Sequence, residues 1–126
     1  MRRVLNSFLQ FIEQDDSNSL IVAATNNPNL LDQALFRRFD DVLHYHFPGE
    51  EEIRRLVKNR LGEFRSSSLP WSIILARATS LSHAEIAKAC DDAIKEAILT
   101  NKTKVDGSLL TTMIDERNNA YHSNGR

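Results

Sequence analysis

"ATNNPNLLDQALFRRFDD", residues 24–41, sets an amide-rich turn, an apolar stretch, two adjacent arginines and a pair of aspartates in quick succession. It follows Leu20, Ile21, Val22 and Ala23, so 20–24 is a short continuous apolar run. Its length and its place after a polar turn predict a strand buried on both faces, as in a parallel sheet. Asn26, Asn27, Pro28 and Asn29 break that strand. Leu30, Leu31, Ala34 and Leu35 then fall at helical spacing, with Asn29 as the cap. Residues 42–47 read as a second strand, stopped by Pro48 and Gly49. Two readings are open for the polar residues. Asn26 either caps the turn or orients a water through its amide. Arg37 and Arg38 either pair on the surface with Asp40 or Asp41, or hold a ligand outside the stretch.

Working outward, Val4, Leu5, Phe8, Leu9 and Ile12 make 2–14 an amphipathic helix, ended by the polar run Asp15, Asp16, Ser17, Asn18 and Ser19. Beyond Pro48 the character becomes helical throughout. Glu50, Glu51 and Glu52 suit the first turn of a helix whose apolar face is Ile53, Leu56, Val57, Leu61 and Phe64. Glu50 with Arg54, and Glu51 with Arg55, stand at i,i+4. Trp71, Ile74, Leu75 and Ala78 mark a shorter helix. Ser82 with Glu85 is a capping box before a helix carrying Ile86, Ala87, Cys90, Ala93, Ile94, Ala97 and Ile98 inward. Asp106 caps a last helix with Leu109, Leu110, Met113 and Ile114 inward. Residues 1–48 therefore read as an α/β fragment, 49–122 as a four-helix, all-α domain, and 123–126 as a frayed tail.

The 126 residues are 41% hydrophobic and 26% charged, with a formal net charge of −1, within the range of a soluble globular domain. No basic stripe marks a nucleic-acid surface, and no apolar run reaches the length of a membrane helix. One cysteine, Cys90, offers neither a disulfide nor a metal spacing, and a reducing cytoplasmic setting is the default. Cys90 reads as a small buried hydrophobe. His44 and His46 alternate on a strand without a third ligand, so no metal site is expected. Trp71 reads as a core or rim residue. Asp91 and Asp92 read as a solvated pair, with Lys88 and Asp92, and Asp91 and Lys95, at i,i+4.

In the order strand, "ATNNP", "LLDQALFRRFDD", strand, "FP", helix, "LSHAEIAKACDDAIKEAI", the chain resembles the C-terminal half of an AAA ATPase module, from about residue 4 to residue 113. The resemblance implies a remnant of a P-loop NTPase parallel sheet followed by a four-helix lid. Asn26 matches the family's sensor 1, which contacts the γ-phosphate or the attacking water. Arg37 and Arg38 match the arginine-finger positions, which act on the neighbouring subunit's nucleotide. A planar, permanently charged guanidinium suits the charge that spreads over phosphate oxygens during transfer. Many members space their two arginines with Pro-Gly, whereas here they are adjacent. "SHAEI" matches the family's Ser-Gly-Ala-Asp-Ile, which implies Ser82, His83 and Ala84 as nucleotide contacts. His83 replaces the usual Gly, and Ser80 stands where a Gly usually gives a left-handed turn.

None of the four glycines belongs to a G-x-x-x-x-G-K-[ST] phosphate loop, and no apolar strand ends in an acidic pair for magnesium. The chain reads as starting just downstream of the catalytic base. It is expected to be inactive alone and to hold no nucleotide tightly. The resemblance implies ATP and Mg in the intact parent, and other AAA subunits as partners in a ring, a hexamer. There, hydrolysis would be coupled to macromolecular remodelling of a protein substrate that the sequence does not name. The alternative is a non-enzymatic interaction module that docks onto intact AAA subunits; a third reading is a helical adaptor. With the phosphate-loop strand missing, the helical part is expected to be the ordered one, and 1–48 to dock abnormally, exchange between chains or be dynamic.

Overall fold

The computed structural model of the chain describes residues 2–27 and 33–123. It divides into two compact units, Met1–Tyr45 and His46–Arg126.

The first unit contains α1 (Arg2–Gln14) and the single helical turn α2 (Gln33–Phe36). Phe8, Leu9 and Ile12 of α1 are half-buried, while Val4 and Phe11 remain exposed. A short Asx turn follows α1, in which the Ser17 N–H donates to Asp15 Oδ1 at 3.0 Å. Hydrogen bonding from the Ser17 side chain, and then from its backbone, holds the Asp15 carboxyl below its ordinary range.

The expected strands at 20–24 and 42–47 are corrected: no strand forms among the described residues, and both segments are irregular. A strand exists only through the ladder it shares with a neighbour, and neither segment forms a ladder among the described residues. Their apolar side chains stay in solvent, with Leu20 89%, Leu43 74% and Tyr45 93% exposed. The α/β reading of 1–48 thus gives way to two helices and irregular chain. Asn29, Leu30 and Leu31, expected to begin the helix that contains α2, lie outside the described residues, as do 124–126 of the expected tail.

The second unit is all-α, as its periodicity predicts. Its elements are α3 (Glu50–Leu61), a 3₁₀ turn (Gly62–Phe64), α4 (Trp71–Ala78), α5 (His83–Leu99) and α6 (Gly107–Ser123). Glu52 reaches back to the Gly49 N–H at the start of α3, where three acidic residues meet the positive end of the helix dipole. Gly62, at φ +51°, ends α3 in a left-handed conformation that a residue with a side chain adopts only with strain. α5 runs between α3 and α6, and α4 packs on α6 and α3. Small residues make this possible: Ala89, Cys90, Ala93 and Ala97 are fully buried on α5 and let its neighbours approach closely.

The large side chains that the helices bury in this core include Ile53, Leu61, Ile74, Ile86, Leu110 and Ile114. Each contributes about 1.5–3 kcal/mol by leaving water. Burying them requires the helices, because the matching residues of one face recur only at the 3.6-residue period. An isolated parallel bridge between Arg65 and Val105, with Val105 N–H donating to the Phe64 carbonyl at 2.7 Å, closes the loops beside α3 and α6.

Candidate functional site

Asn26 lies at a bend in the first unit and is exposed. The turn there is closed by Thr25, whose Oγ1 accepts from the Asn27 N–H at 3.1 Å, rather than by the Asn26 amide. An exposed amide keeps both its donor and its acceptor available.

Arg37 and Arg38 follow α2. The Arg37 N–H donates to the Gln33 carbonyl at 3.2 Å, and the Phe39 N–H to that of Phe36 at 3.4 Å, so both arginines lie in the turn that ends α2. Arg37 is exposed. Arg38 forms an ion pair with Glu13 of α1, rather than with Asp40 or Asp41. Glu13 carries no sequence signal for this role: it lies on the polar side of an amphipathic helix, 25 positions away.

In the second unit, Ser82, His83 and Ala84 come together at the start of α5. Ser82 Oγ accepts the Glu85 N–H at 3.2 Å, which forms the serine half of the capping box. His83 and Ala84 are exposed. Ser80 is not in a left-handed conformation, since the only non-glycine residue with positive φ among the described residues is Asn101, at 57°. The connection is held by another means. Ser80 Oγ donates to Asn118 Oδ1 at 3.0 Å, and Asn118 Nδ2 donates to the Arg77 carbonyl at 2.9 Å. Arg77 in turn pairs with Asp115 at 2.6 Å. Asn118 and Asp115 of α6 thus fix the turn that precedes the candidate contacts, and both were missed because they act across about 38 residues of sequence.

Other expectations shift in the same way. Lys88 pairs with Asp92 at 2.8 Å as its spacing predicts, but Asp91 binds Arg60 of α3. Arg54 lies 5.3 Å and Lys58 5.7 Å from the centre of the half-buried Trp71 ring, which draws Arg54 away from the pairing with Glu50 that its spacing suggests. Cys90 is buried, and desolvation first, then Asp91, pushes its thiol up to about 12. Among the described residues no group of three or more His, Cys, Asp or Glu could hold a metal ion. Nor is any described helix long and apolar enough to cross a membrane. An open groove of about 540 Å³, lined by Glu63, Phe64, Ile98, Asn101, Lys102, Thr103 and Lys104, includes none of the candidate residues.

Residues 1–47 match the model of the family described as "ATPase family associated with various cellular activities (AAA)". The chain carries part of an AAA ATPase module.

It is similar to particular members over more of its length. It is 35% identical to the AAA family ATPase y4kL of Sinorhizobium fredii over 109 residues, which are 83% of this chain and 32% of that protein. It is 32% identical to the ATP-dependent zinc metalloprotease FtsH of Karelsulcia muelleri over 93 residues, 71% of this chain and 15% of that protein. A 58-residue stretch, 46% of this chain and 10% of the relative, is 36% identical to human ATPase family AAA domain-containing protein 3A. The chain therefore spans a third or less of the length of these relatives.

Proposed function

We propose that the chain supplies the sensing and trans-acting edge of an AAA ATPase site, with its lid. In this reading 1–48 is the C-terminal remnant of the nucleotide-binding core, 49–122 the helical lid and 123–126 a tail. Asn26 orients the γ-phosphate or the attacking water of ATP held with magnesium. Arg37 and Arg38 offer positive charge to the nucleotide of the next subunit in a cytoplasmic ring, a hexamer, where hydrolysis drives remodelling of a macromolecule. Ser82, His83 and Ala84 lie along the base and ribose. Because Ser82 is occupied as a cap, its backbone and the exposed His83 carry that contact.

The family match over 1–47, which spans all of "ATNNPNLLDQALFRRFDD", carries this reading. The 126 residues contain no phosphate loop and no acidic pair for magnesium, so the chain by itself does not turn over ATP.

Phosphate release tests the proposal in two arms. The chain alone is expected to give none. Mixed with the Sinorhizobium fredii relative, whose residues matching Arg37 and Arg38 are changed to alanine, the chain is expected to restore turnover. That gain is expected to disappear with Arg37→Ala plus Arg38→Ala. Turnover by the chain alone, or no effect on the relative, rejects the reading. A second reading, a non-enzymatic module docking onto intact AAA subunits, draws on the exposed apolar side chains of Leu43, Tyr45 and Phe47 in an irregular segment. It predicts that the chain binds the unaltered relative and lowers its turnover.

A further inference from the structure

We infer that Asn118 is a positioning residue that couples the nucleotide contacts at the start of α5 to the C-terminal half of α6, by way of the Ser80 hydroxyl. The inference rests on the functional reading above and deepens it. The turn between α4 and α5 leads through Thr79, Ser80 and Leu81 directly into Ser82, His83 and Ala84. Its own bonds give it a shape: the Leu81 N–H donates to the Ala78 carbonyl at 3.0 Å, and Thr79 Oγ1 to the Ala76 carbonyl at 3.2 Å. Such short-range bonds do not fix where the turn stands against the rest of the unit. Two attachments do so. Leu81 is fully buried and anchors the inner side. On the outer side the half-buried Asn118 carboxamide is engaged at both ends, its Oδ1 accepting from Ser80 Oγ and its Nδ2 donating to the Arg77 carbonyl.

The chemistry asks for these two residue types. The Arg77 carbonyl is among those that a helix end leaves without a partner in its own helix, so it needs a donor. The Ser80 hydroxyl needs an acceptor. A carboxamide offers both at once, whereas an aspartate would keep only the acceptor. A glycine at position 80 would have no hydroxyl to hold, so the serine that stands there creates the link. The ion pair of Arg77 with Asp115, one turn earlier on α6, is the weaker strut because both groups reach solvent. A displacement of α6 at Asn118 therefore carries Ser80 with it, and the exposed His83 three residues on. Such coupling is reciprocal: whatever Asn118 does to nucleotide affinity, nucleotide does to the order of α6.

NMR of the full chain with millimolar ATP, combined with amide hydrogen exchange, tests this without any ATPase. In the unaltered chain ATP is expected to shift the His83 imidazole signals and to slow exchange at the amides of both 79–84 and 115–120. Asn118→Ala is expected to weaken ATP affinity, read from the His83 shift, by about three- to ten-fold, the range that one net hydrogen bond allows. It is also expected to abolish the effect of ATP on 115–120. Ser80→Ala is expected to act alike and to add nothing in the Asn118→Ala background. Asn118→Asp is expected to keep part of the coupling. An affinity indifferent to Asn118→Ala overturns the inference and leaves the nucleotide contact standing. So does faster exchange at the inward faces of α3 and α5 in that variant, which would mean that Asn118 only stabilises the unit. Absence of any His83 shift in the unaltered chain rejects the contact itself, and the inference with it. That outcome appears before any substitution is made, and separately from the phosphate-release assay of Arg37 and Arg38.

Discussion

Arg60 of α3 grips Asp91 of α5 through two hydrogen bonds, Nε to Oδ1 and Nη2 to Oδ2, each 2.7 Å long. The fork geometry matches guanidinium to carboxylate and joins two helices whose buried faces already meet. The Arg60 hydrogen bond is the main cause that holds the Asp91 carboxyl below its ordinary range; the charges of Arg60, Lys95 and Lys88 add to it, against some desolvation. A depressed carboxyl stabilises the fold above its unfolded value, near 3.9, and that contribution is lost as pH falls through the folded value. Thermal unfolding of Asp91→Asn beside the unaltered chain is the check. The variant is expected to melt slightly lower at about pH 7, with the gap closing towards about pH 2. The effect is small because both groups reach solvent. A gap that persists in acid would mean that the pair acts through packing rather than charge.

Gly107, at the start of α6, is required by contact rather than by backbone conformation. A Cβ there would lie 2.3 Å from Pro70 Cδ and 2.6 Å from Cγ. The proline ring cannot rotate away, so α6 or the start of α4 must shift. Gly107→Ala is expected to destabilise the helical unit by about 1–3 kcal/mol, although alanine is the better helix former. Denaturant unfolding measures it. Adding Pro70→Ala is expected to recover much of the loss, and the resulting non-additivity isolates this one contact.

Cys90 is expected to resist thiol reagents in the folded state, because desolvation pushes its thiol up to about 12. Labelling by a disulfide reagent near neutral pH should proceed at the rate of unfolding and become fast in denaturant. The same shift has a stability consequence. A thiol whose folded value is raised contributes fully below its unfolded range, near 8.5–9, and that contribution declines as pH climbs towards 12, by about 1.4 kcal/mol per pH unit. Cys90→Ala should lack this part of the alkaline decline, a difference that denaturant melts at rising pH would expose.

Ser82 has a structural duty that any nucleotide contact must share. Its hydroxyl satisfies the Glu85 N–H, one of the unpaired donors at the start of α5. Ser82→Ala is expected to cost about 0.5–2 kcal/mol in unfolding free energy, while Ser82→Asp and Ser82→Asn should retain most of the stability. Loss of nucleotide-dependent behaviour in Ser82→Ala alone would therefore report on the helix start and not on a direct contact. Equal stability of all three variants would remove the capping role.

How much could be read ahead depends on whether the signal is local. The inward faces Ile53, Val57 and Leu61, then Ile86, Cys90, Ala93 and Ala97, then Leu110 and Ile114, follow from periodicity and are buried. The caps Ser82 and Asp106 are equally local, and both bond the expected amides, Asp106 Oδ1 accepting the Leu109 N–H at 2.8 Å. Periodicity fails where a helix outruns its neighbours or gains a second one. Ile98 reads as inward yet is 56% exposed, and Ala89, omitted from that face, is fully buried. Of the candidate site, the residue types at Asn26, Arg37, Arg38, Ser82, His83 and Ala84 were legible, but their surroundings were not.

By itself, then, the sequence determined the helical unit, its caps and its kinship with AAA ATPases, because helix formation and family motifs are written in nearby residues. Tertiary structure alone decided that 20–24 and 42–47 form no strands, since a strand needs a partner to receive its hydrogen bonds. It also decided which carboxylates answer Arg38 and Arg60, how Asn118 steadies the turn before α5, and why position 107 has room only for glycine. Each of these is a meeting of residues far apart in the chain, brought together by the burial of faces that the sequence could mark but not pair.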